Sequence, residues 1–590
     1  MKNLLCILLL SVSFVSTSQL YVSDNSFIYN KGRLIYVKGK IELNGASHLY
    51  LRNNGQLIQG TTSASVNTGT GKLSVFQEGT VNNFCYNYWC SPVGNASTNS
   101  GNEDFGITML NVPTSKTMSN PATMNSGLNG VSGTGSLSIA SYWIWKFLSS
   151  SSYSQWFHSG ANTNISAGQG FTMKGTSGYD LTDVGETAVN NFGNAQRYDF
   201  RGKPNDGNIT VNVAANGFTL TGNPYPSALH VNAFLLDEAN SACDGVAYYW
   251  EQDKTVNSHV LSEYQGGYGT YSPISLESDG VYVPATYNTY NVDGTLNNAG
   301  ASSGLSVERK YAPIGQGFMV KGVFDGNLTL KNEYRVYKKE GDYSQFQRQM
   351  GNLTTETNEV IGIPQIHINT IMNNQYTSQI ALAFVPTATD GVDVGIDAKS
   401  PVDNNVPNDV YFFLNNEKFV IQGVAFDVDK RISLGVKSTN NATFKFDASQ
   451  VLNVDETQPI YLYDAQDESY HEIRNNTYEL VLPTGIYNNR FEITFKDNSL
   501  NNNNNDIKSD VGVFQNNSAQ MLIISNPNSI ALRSLSFYDL SGKLIFNKEN
   551  LDSRENYQFS TSGLSNGVYL IEVTASDKRR MVQKVMITSL

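Results

Sequence analysis

The stretch GQGFTMKG at Gly168–Gly175 returns almost unchanged as GQGFMVKG at Gly315–Gly322. A catalytic loop needs one copy, so a doubled phrase marks a duplicated structural module. Inside it Phe171 and Met173 alternate with Thr172 and Lys174, and Phe318 and Val320 alternate with Met319 and Lys321. That is the period of a half-buried strand, with Gly168 and Gly170 free to take positive φ at its entry. Neighbouring phrases repeat in the same order. NYWCSPVGN (Asn87–Asn95) and YWIWKF (Tyr142–Phe147) precede the first copy, and LTGNPYPSALH (Leu220–His230) and YYWEQ (Tyr248–Gln252) precede the second. Only the Ser, Gly and Asn-rich loops between them differ in length, as expected when a framework is kept and its loops drift.

A chain of 590 residues exceeds one core, and about 100–200 residues per domain predicts several. Charged residues make up 16 % of it, beside 33 Tyr, 28 Phe and 50 Gly. That balance predicts strands, turns and aromatic packing, an all-β multidomain protein. A net charge of −12 and a pI near 5.1 supply no basic footprint and exclude nucleic acid as the expected partner. At the N-terminus, Lys2, the apolar run Leu4–Val15 and the small residues before Gln19 predict a signal peptide cut after Ser18. Twelve apolar positions are too few to span a bilayer, and no later stretch is long enough, so no transmembrane span is expected.

After the signal, Phe27–Gly60 alternates apolar and polar residues in short runs closed by Gly or Asn-Gly. This suits stacked hairpins or a few rungs of a β-solenoid. From Thr354 to Phe495 short β-branched and aromatic runs at regular spacing predict a third β-sandwich. The polar tract Asn498–Asp506 reads as a linker. The expected organisation is a signal peptide (1–18), an N-terminal segment (19–81), two β-sandwich-like modules (82–206 and 207–345), the third sandwich (346–497), the linker (498–510) and a small C-terminal β-sandwich (511–590).

Chemistry-bearing motifs are scarce. No G-x-S-x-G elbow or H-E-x-x-H appears, His471-Glu472 lacks a second histidine, and the Gly133 and Gly135 loop has no following Lys or helix to cradle phosphate. No catalytic residue is assigned, and the chain reads as non-enzymatic, although paired carboxylates are recognised only by their separation in space. Cys85, Cys90 and Cys243 allow at most one disulfide, and Cys85 and Cys90 would pair only across a turn. Asp390, Asp393 and Asp397 crowd a Gly-rich loop and could hold Ca²⁺, against a plain turn using Asp for its own hydrogen bonds. No other cofactor is indicated. All five tryptophans lie in or beside the duplicated modules. Trp143 and Trp145 are expected on one side of one strand and, with Trp250, could stack on sugar rings, unless they build the aromatic core.

The last 80 or so residues carry a specific resemblance. SLSFYDLSGKLIFNK at Ser534–Lys548, the turn Leu564–Tyr569 and the basic-apolar tail Lys578–Lys584 closely resemble the type A C-terminal sorting domain of the type IX secretion system of Bacteroidota. Tyr538, Asp539, Gly542, Gly567, Tyr569 and Lys584 fall on the matching positions. The resemblance implies the secretion machinery as partner, with release or display on the outer face of the outer membrane. Further upstream, RYDFRGKPNDG (Arg197–Gly207), GNPYPSA (Gly222–Ala228), YQGGYGTYSP (Tyr264–Pro273) and GIYNNRFEITF (Gly485–Phe495) are similar to stretches of large flavobacterial surface proteins of unassigned role. The expectation is a secreted or surface protein, adhesive or matrix-forming, whose repeated modules add weak contacts by avidity. The alternatives are a glycan-binding or glycan-cleaving accessory protein that touches surface polysaccharide, and a scaffold for other proteins.

Overall fold

A computed structural model describes residues 19–60, 63–341, 362–401, 406–497, 507 and 510–588. The expected signal peptide and nearly all of the Asn-rich tract lie outside the described residues. Strands dominate, and Val231–Leu236 is the one α-helix among the described residues. The chain forms two compact units, one running to Phe495 (Glu468–Tyr470 excepted) and one from Lys496.

The N-terminal runs pair in parallel: Leu20–Val22 with Ile41–Leu43, Phe27–Lys31 with His48–Arg52, and Leu34–Val37 with Gln56–Gln59. Parallel neighbours cannot be joined by a tight hairpin, so these runs are rungs of a solenoid. Their apolar residues Val22, Val37, Ile41, Leu49 and Leu57 face one core. The coil does not end freely: His48–Leu51 pairs in parallel with Lys72–Val75, and Arg197–Gly202 continues the sheet antiparallel on the other edge of that strand.

The duplication is a repeat of register. Tyr86–Cys90 pairs antiparallel with Gly170–Lys174, Cys90 opposite Gly170. Phe218–Gly222 pairs antiparallel with Gly317–Lys321, Gly222 opposite Gly317. Each pair is flanked by a second equivalent pair, Lys72–Glu78 with Arg197–Pro204 in the first copy and Ile209–Val213 with Gly326–Leu330 in the second. Phe171 and Met173 face the core of the first copy, and Phe318 and Val320 that of the second.

The two copies pack against each other through their doubled phrases. Cys90 donates its backbone N–H to the Gly315 carbonyl at 2.8 Å, and Thr221 Oγ1 donates to the Gly168 carbonyl at 2.7 Å. Gly168 and Gly315 take the positive φ the turn demands, +84° and +80°. Gly170 and Gly317 serve otherwise: a Cβ on Gly170 would lie 2.7 Å from the Thr221 carbonyl oxygen, and one on Gly317 would lie 2.7 Å from the Trp89 nitrogen. These glycines are therefore needed for close backbone approach between copies. The half-buried expectation changes too. Gly170–Lys174 is buried along its whole length, because one face meets its own core and the other is covered by neighbouring sheets.

Residues 365–494 build one 11-stranded, mostly antiparallel sheet. Ile366, Ile380, Phe412, Leu434, Phe444 and Phe491 meet in one core on its inner face. Register shifts at His367/Asn369 and Leu434/Val436 bend its long strands. On the opposite face Ala381, Ala383 and Ile421 pack with Val281 and Val283 of the second copy and with Tyr88 of the first. The C-terminal unit is a three-stranded sheet (Gly512–Asn516, Met521–Ser525, Asn556–Ser560) and a four-stranded sheet (Leu532–Asp539, Leu544–Glu549, Gly567–Ala575, Arg580–Ile587) that share one core.

Candidate functional site: an aromatic belt between the duplicated copies

Alternation along Tyr86–Cys90 sends Trp89 into the first core, against Tyr198 and Phe200, and turns Tyr86 and Tyr88 the other way. On that second side the remaining tryptophans gather. Trp143 meets Tyr86 edge-on at 5.9 Å, and Tyr142 sits edge-on to both Trp143 (4.7 Å) and Trp145 (6.1 Å). Beside them Tyr88 stacks on Trp250 at 6.2 Å and meets Trp156 edge-on, and Trp250 meets Tyr268 at 5.2 Å. The Tyr88 and Tyr268 hydroxyls hydrogen-bond at 2.8 Å, tying the copies together.

Within this belt depth decides role. Trp143 is only 7 % exposed, and its indole N–H donates to the Leu128 carbonyl at 2.7 Å. Trp145, Trp156 and Trp250 are half-buried. The outer rim consists of Tyr142 (47 % exposed), Tyr153 (44 %) and Phe157 (56 %). Trp143 and Trp145 do not share one strand face: Ser141–Trp143 is a 3-10 turn, and Trp145 opens a two-residue strand paired with Phe157–His158. A turn breaks the alternation that would have placed them together.

Beneath the rim lies a residue that strand alternation did not single out. Lys174 is 3 % exposed, with Nζ 3.7 Å from the Trp143 ring centroid, 4.6 Å from that of Tyr264 and 5.0 Å from that of Tyr86. It donates to the Tyr264 hydroxyl at 2.6 Å and to His259 Nδ1 at 3.1 Å, and His259 Nε2–H donates to Asn129 Oδ1 at 2.7 Å. Burial pushes the Lys174 ammonium down to about 7. Burial and the neighbouring Lys174 charge push His259 down to about 4. The ring faces partly replace the water the ammonium has lost.

The other expected groups are placed as follows. Asp390 pairs with Lys430, Asp393 Oδ2 accepts from the Thr389 N–H at 2.7 Å, and Asp397 accepts from the Asp393 and Gly423 N–H groups at 2.6 and 2.8 Å. These carboxylates are engaged in organising the loop. Among the described residues no group of three or more His, Cys, Asp or Glu side chains is placed to hold a metal ion. Cys85, Cys90 and Cys243 are buried free thiols, and burial pushes Cys85 up to about 11 and Cys243 to about 12.

In the C-terminal unit Asp539 caps its turn. Its Oδ1 accepts from the Ser541 and Lys543 N–H groups at 2.9 and 3.0 Å, and Gly542 takes φ +80°. The Ser541 hydroxyl, foremost among these bonds, holds the Asp539 carboxyl below its ordinary range. Tyr538 donates to Glu572 at 3.2 Å, and Tyr569 packs against Phe537 and donates to the Ser565 carbonyl at 2.9 Å. Gly567 opens the following strand, and Lys584 is exposed on the last one.

Residues 512–588 match the family described as the secretion system C-terminal sorting domain. The chain is thus a substrate of the type IX secretion system, and this domain implies contact with that machinery and export to the cell surface or the medium. No helix among the described residues is long and apolar enough to cross a membrane. Residues 116–495 match the family described as Domain of unknown function (DUF8693), and the chain belongs to that family. No curated protein matches it significantly. Among solved structures, Tp47, the 47-kilodalton lipoprotein of Treponema pallidum, is 9 % identical, with 61 % of this chain and 92 % of that one covered and a TM-score of 0.12. The BSP domain of a biofilm-associated protein is 8 % identical, with 88 % and 96 % covered and the same TM-score of 0.12. Neither likeness bears on the fold or the function.

Proposed function

We propose that this exported protein is a non-enzymatic adhesive or matrix component that grips neutral surface polysaccharide on the aromatic belt between its duplicated copies. The observation that carries this reading is the rim of Tyr142, Trp145, Tyr153 and Phe157, exposed or half-buried over a rigid aromatic floor. Flat apolar ring faces with polar edges suit the faces of sugar rings. Tyr142 and Tyr153 sit on 3-10 turns and Trp145 and Phe157 on a short strand pair, and aromatic side chains with two rotatable bonds lose little freedom on binding. The absence of a catalytic motif in the sequence favours holding over turnover.

The test is retention of the purified full chain on immobilised neutral polysaccharides, with and without Ca²⁺, beside the triple variant Tyr142→Ala, Trp145→Ala, Phe157→Ala. Retention falling at least tenfold in the variant, with an unchanged thermal transition, is the expected result. Equal retention of both proteins, or none of either on any of the polysaccharides, overturns the reading.

A further inference from the structure

The outer face of the 11-stranded sheet changes character along its strands. Ala381, Ala383 and Ile421 make a dry contact with the second copy. Across the same pairs the face turns polar: Gln365 lies opposite Leu452, His367 opposite Gln450, and Asn369 opposite Gln379. Where the dry contact ends, a cavity of about 100 Å³ opens between this polar patch and residues Asp279–Pro284 and Gly304–Glu308 of the second copy. At the roughly 30 Å³ a water takes in the liquid it has room for about three, enough to take the hydroxyl-bearing edge of one sugar unit.

Its lining is organised. His367 is bracketed by Gln379 Oε1 on Nδ1 and Gln365 Oε1 on Nε2, both at 2.9 Å, and Gln379 donates onward to Asn369 at 3.0 Å. Gln450 and Ser306 add further hydrogen-bonding groups, and Pro284, Leu305, Val307 and Leu452 supply apolar wall. Two carboxyls close the other side. Asp279 lies 3.8 Å from Lys310, and Glu308 stands close enough to feel the Asp279 charge. Burial first, and Asp279 second, push Glu308 up to about 7. A neutral ligand that donates hydroxyls to these carboxyls and accepts from the amides relieves both costs, whereas an anion meets Asp279 directly.

The geometry points to a second ligand site in this cavity, taking a single uncharged sugar unit, such as a chain end of a neutral glycan, held by the amides of Gln365, Gln379 and Gln450 opposite the carboxyls of Asp279 and Glu308. This site shares no residue with the aromatic rim and stands or falls without it.

The test titrates the full chain with glucose, galactose, mannose, xylose and N-acetylglucosamine by calorimetry and saturation-transfer NMR. The variants are Gln450→Leu, Glu308→Gln, and the rim triple Tyr142→Ala, Trp145→Ala, Phe157→Ala. The expected result is one saturable sugar whose affinity drops at least tenfold in Gln450→Leu and in Glu308→Gln and is unchanged in the rim triple. Gln450 lies at the cavity wall and Glu308 keeps its shape on conversion to Gln, so at least one variant retains the native thermal transition and carries the comparison. No saturable binding of any of the five sugars, or binding equal in wild type and a natively folded cavity variant, marks a solvent-filled seam and overturns the proposal. Equal polysaccharide retention by wild type and the rim triple, with sugar binding intact, would strike the rim reading alone.

Discussion

The two copies of the doubled phrase share register and turn geometry, yet their lysines lead different lives. Lys174 is sealed under Trp143 and Tyr264, while Lys321 is half-buried, its Nζ 5.5 Å from the Phe218 ring centroid. A second asymmetry lies where the copies meet. Cys90 and Gly222 occupy equivalent positions, opposite Gly170 and Gly317, and they face each other: a Cβ on Gly222 would lie 2.7 Å from the Cβ of Cys90 and 2.3 Å from the Gln316 carbonyl oxygen. One side chain fits there and two do not. Backbone demands at the junction hold both copies to the same glycines, while side chains are free to diverge wherever the copies face different neighbours.

The largest effect expected concerns Lys174. Its value near 7 lies below the ordinary lysine value of about 10.4, so the unfolded chain holds the proton more firmly. Stability then rises with pH between about 7 and 10.4 and is lost as pH falls through that window. This contribution is at most roughly 5 kcal/mol. Urea midpoints across that range should climb more steeply for wild type than for Lys174→Met, and parallel curves would sink the assignment. Next comes the junction: Gly222→Cys should cost about 3 kcal/mol by overpacking. Adding Cys90→Gly should restore more than about 1 kcal/mol of it, since the two sites share one space. A strictly additive double variant would show that they do not compete. Smallest is Lys321→Met, expected within about 0.5 kcal/mol of wild type by the same midpoints, and a larger loss would mean that the second copy also depends on its lysine.

How much of this was legible follows the range of the interactions. The doubled phrase, the strand period and the turn glycines are local, and they foretold one recurring strand entry in each copy, while its partner strand and the matching register came only with the structure. The sorting domain was legible from Tyr538, Asp539 and Gly542 because its turn is built within a few residues. The solenoid was ambiguous because Asn-Gly and Gly turns close hairpins and rungs alike, and only the pairing of Phe27–Lys31 with His48–Arg52 decides. The tryptophan belt was half legible: aromatic content pointed to it, but the 3-10 turn before Trp145 and the depth of Trp143 depend on packing. Lys174 was read as the polar member of an alternating strand because nothing local says that both faces are covered. The amide-lined cavity left no trace, since Glu308, Gln365, Gln379 and Gln450 meet only through tertiary structure.

The strand pairings also set a timetable. Lys72–Glu78 waits for Arg197–Gly202 to complete its sheet, and the Leu57 carbonyl waits for the Arg335 guanidinium, which donates to it at 2.5 Å. At 5–20 residues per second, synthesis needs roughly 6–24 s to travel from the first partner strand to the second. Throughout that interval the rungs within the first 75 residues can pair, but the sheet that Lys72–Glu78 leads lacks the long antiparallel strand that completes it. For a chain destined for export, a fold that closes late is also a fold that stays threadable while it is being made.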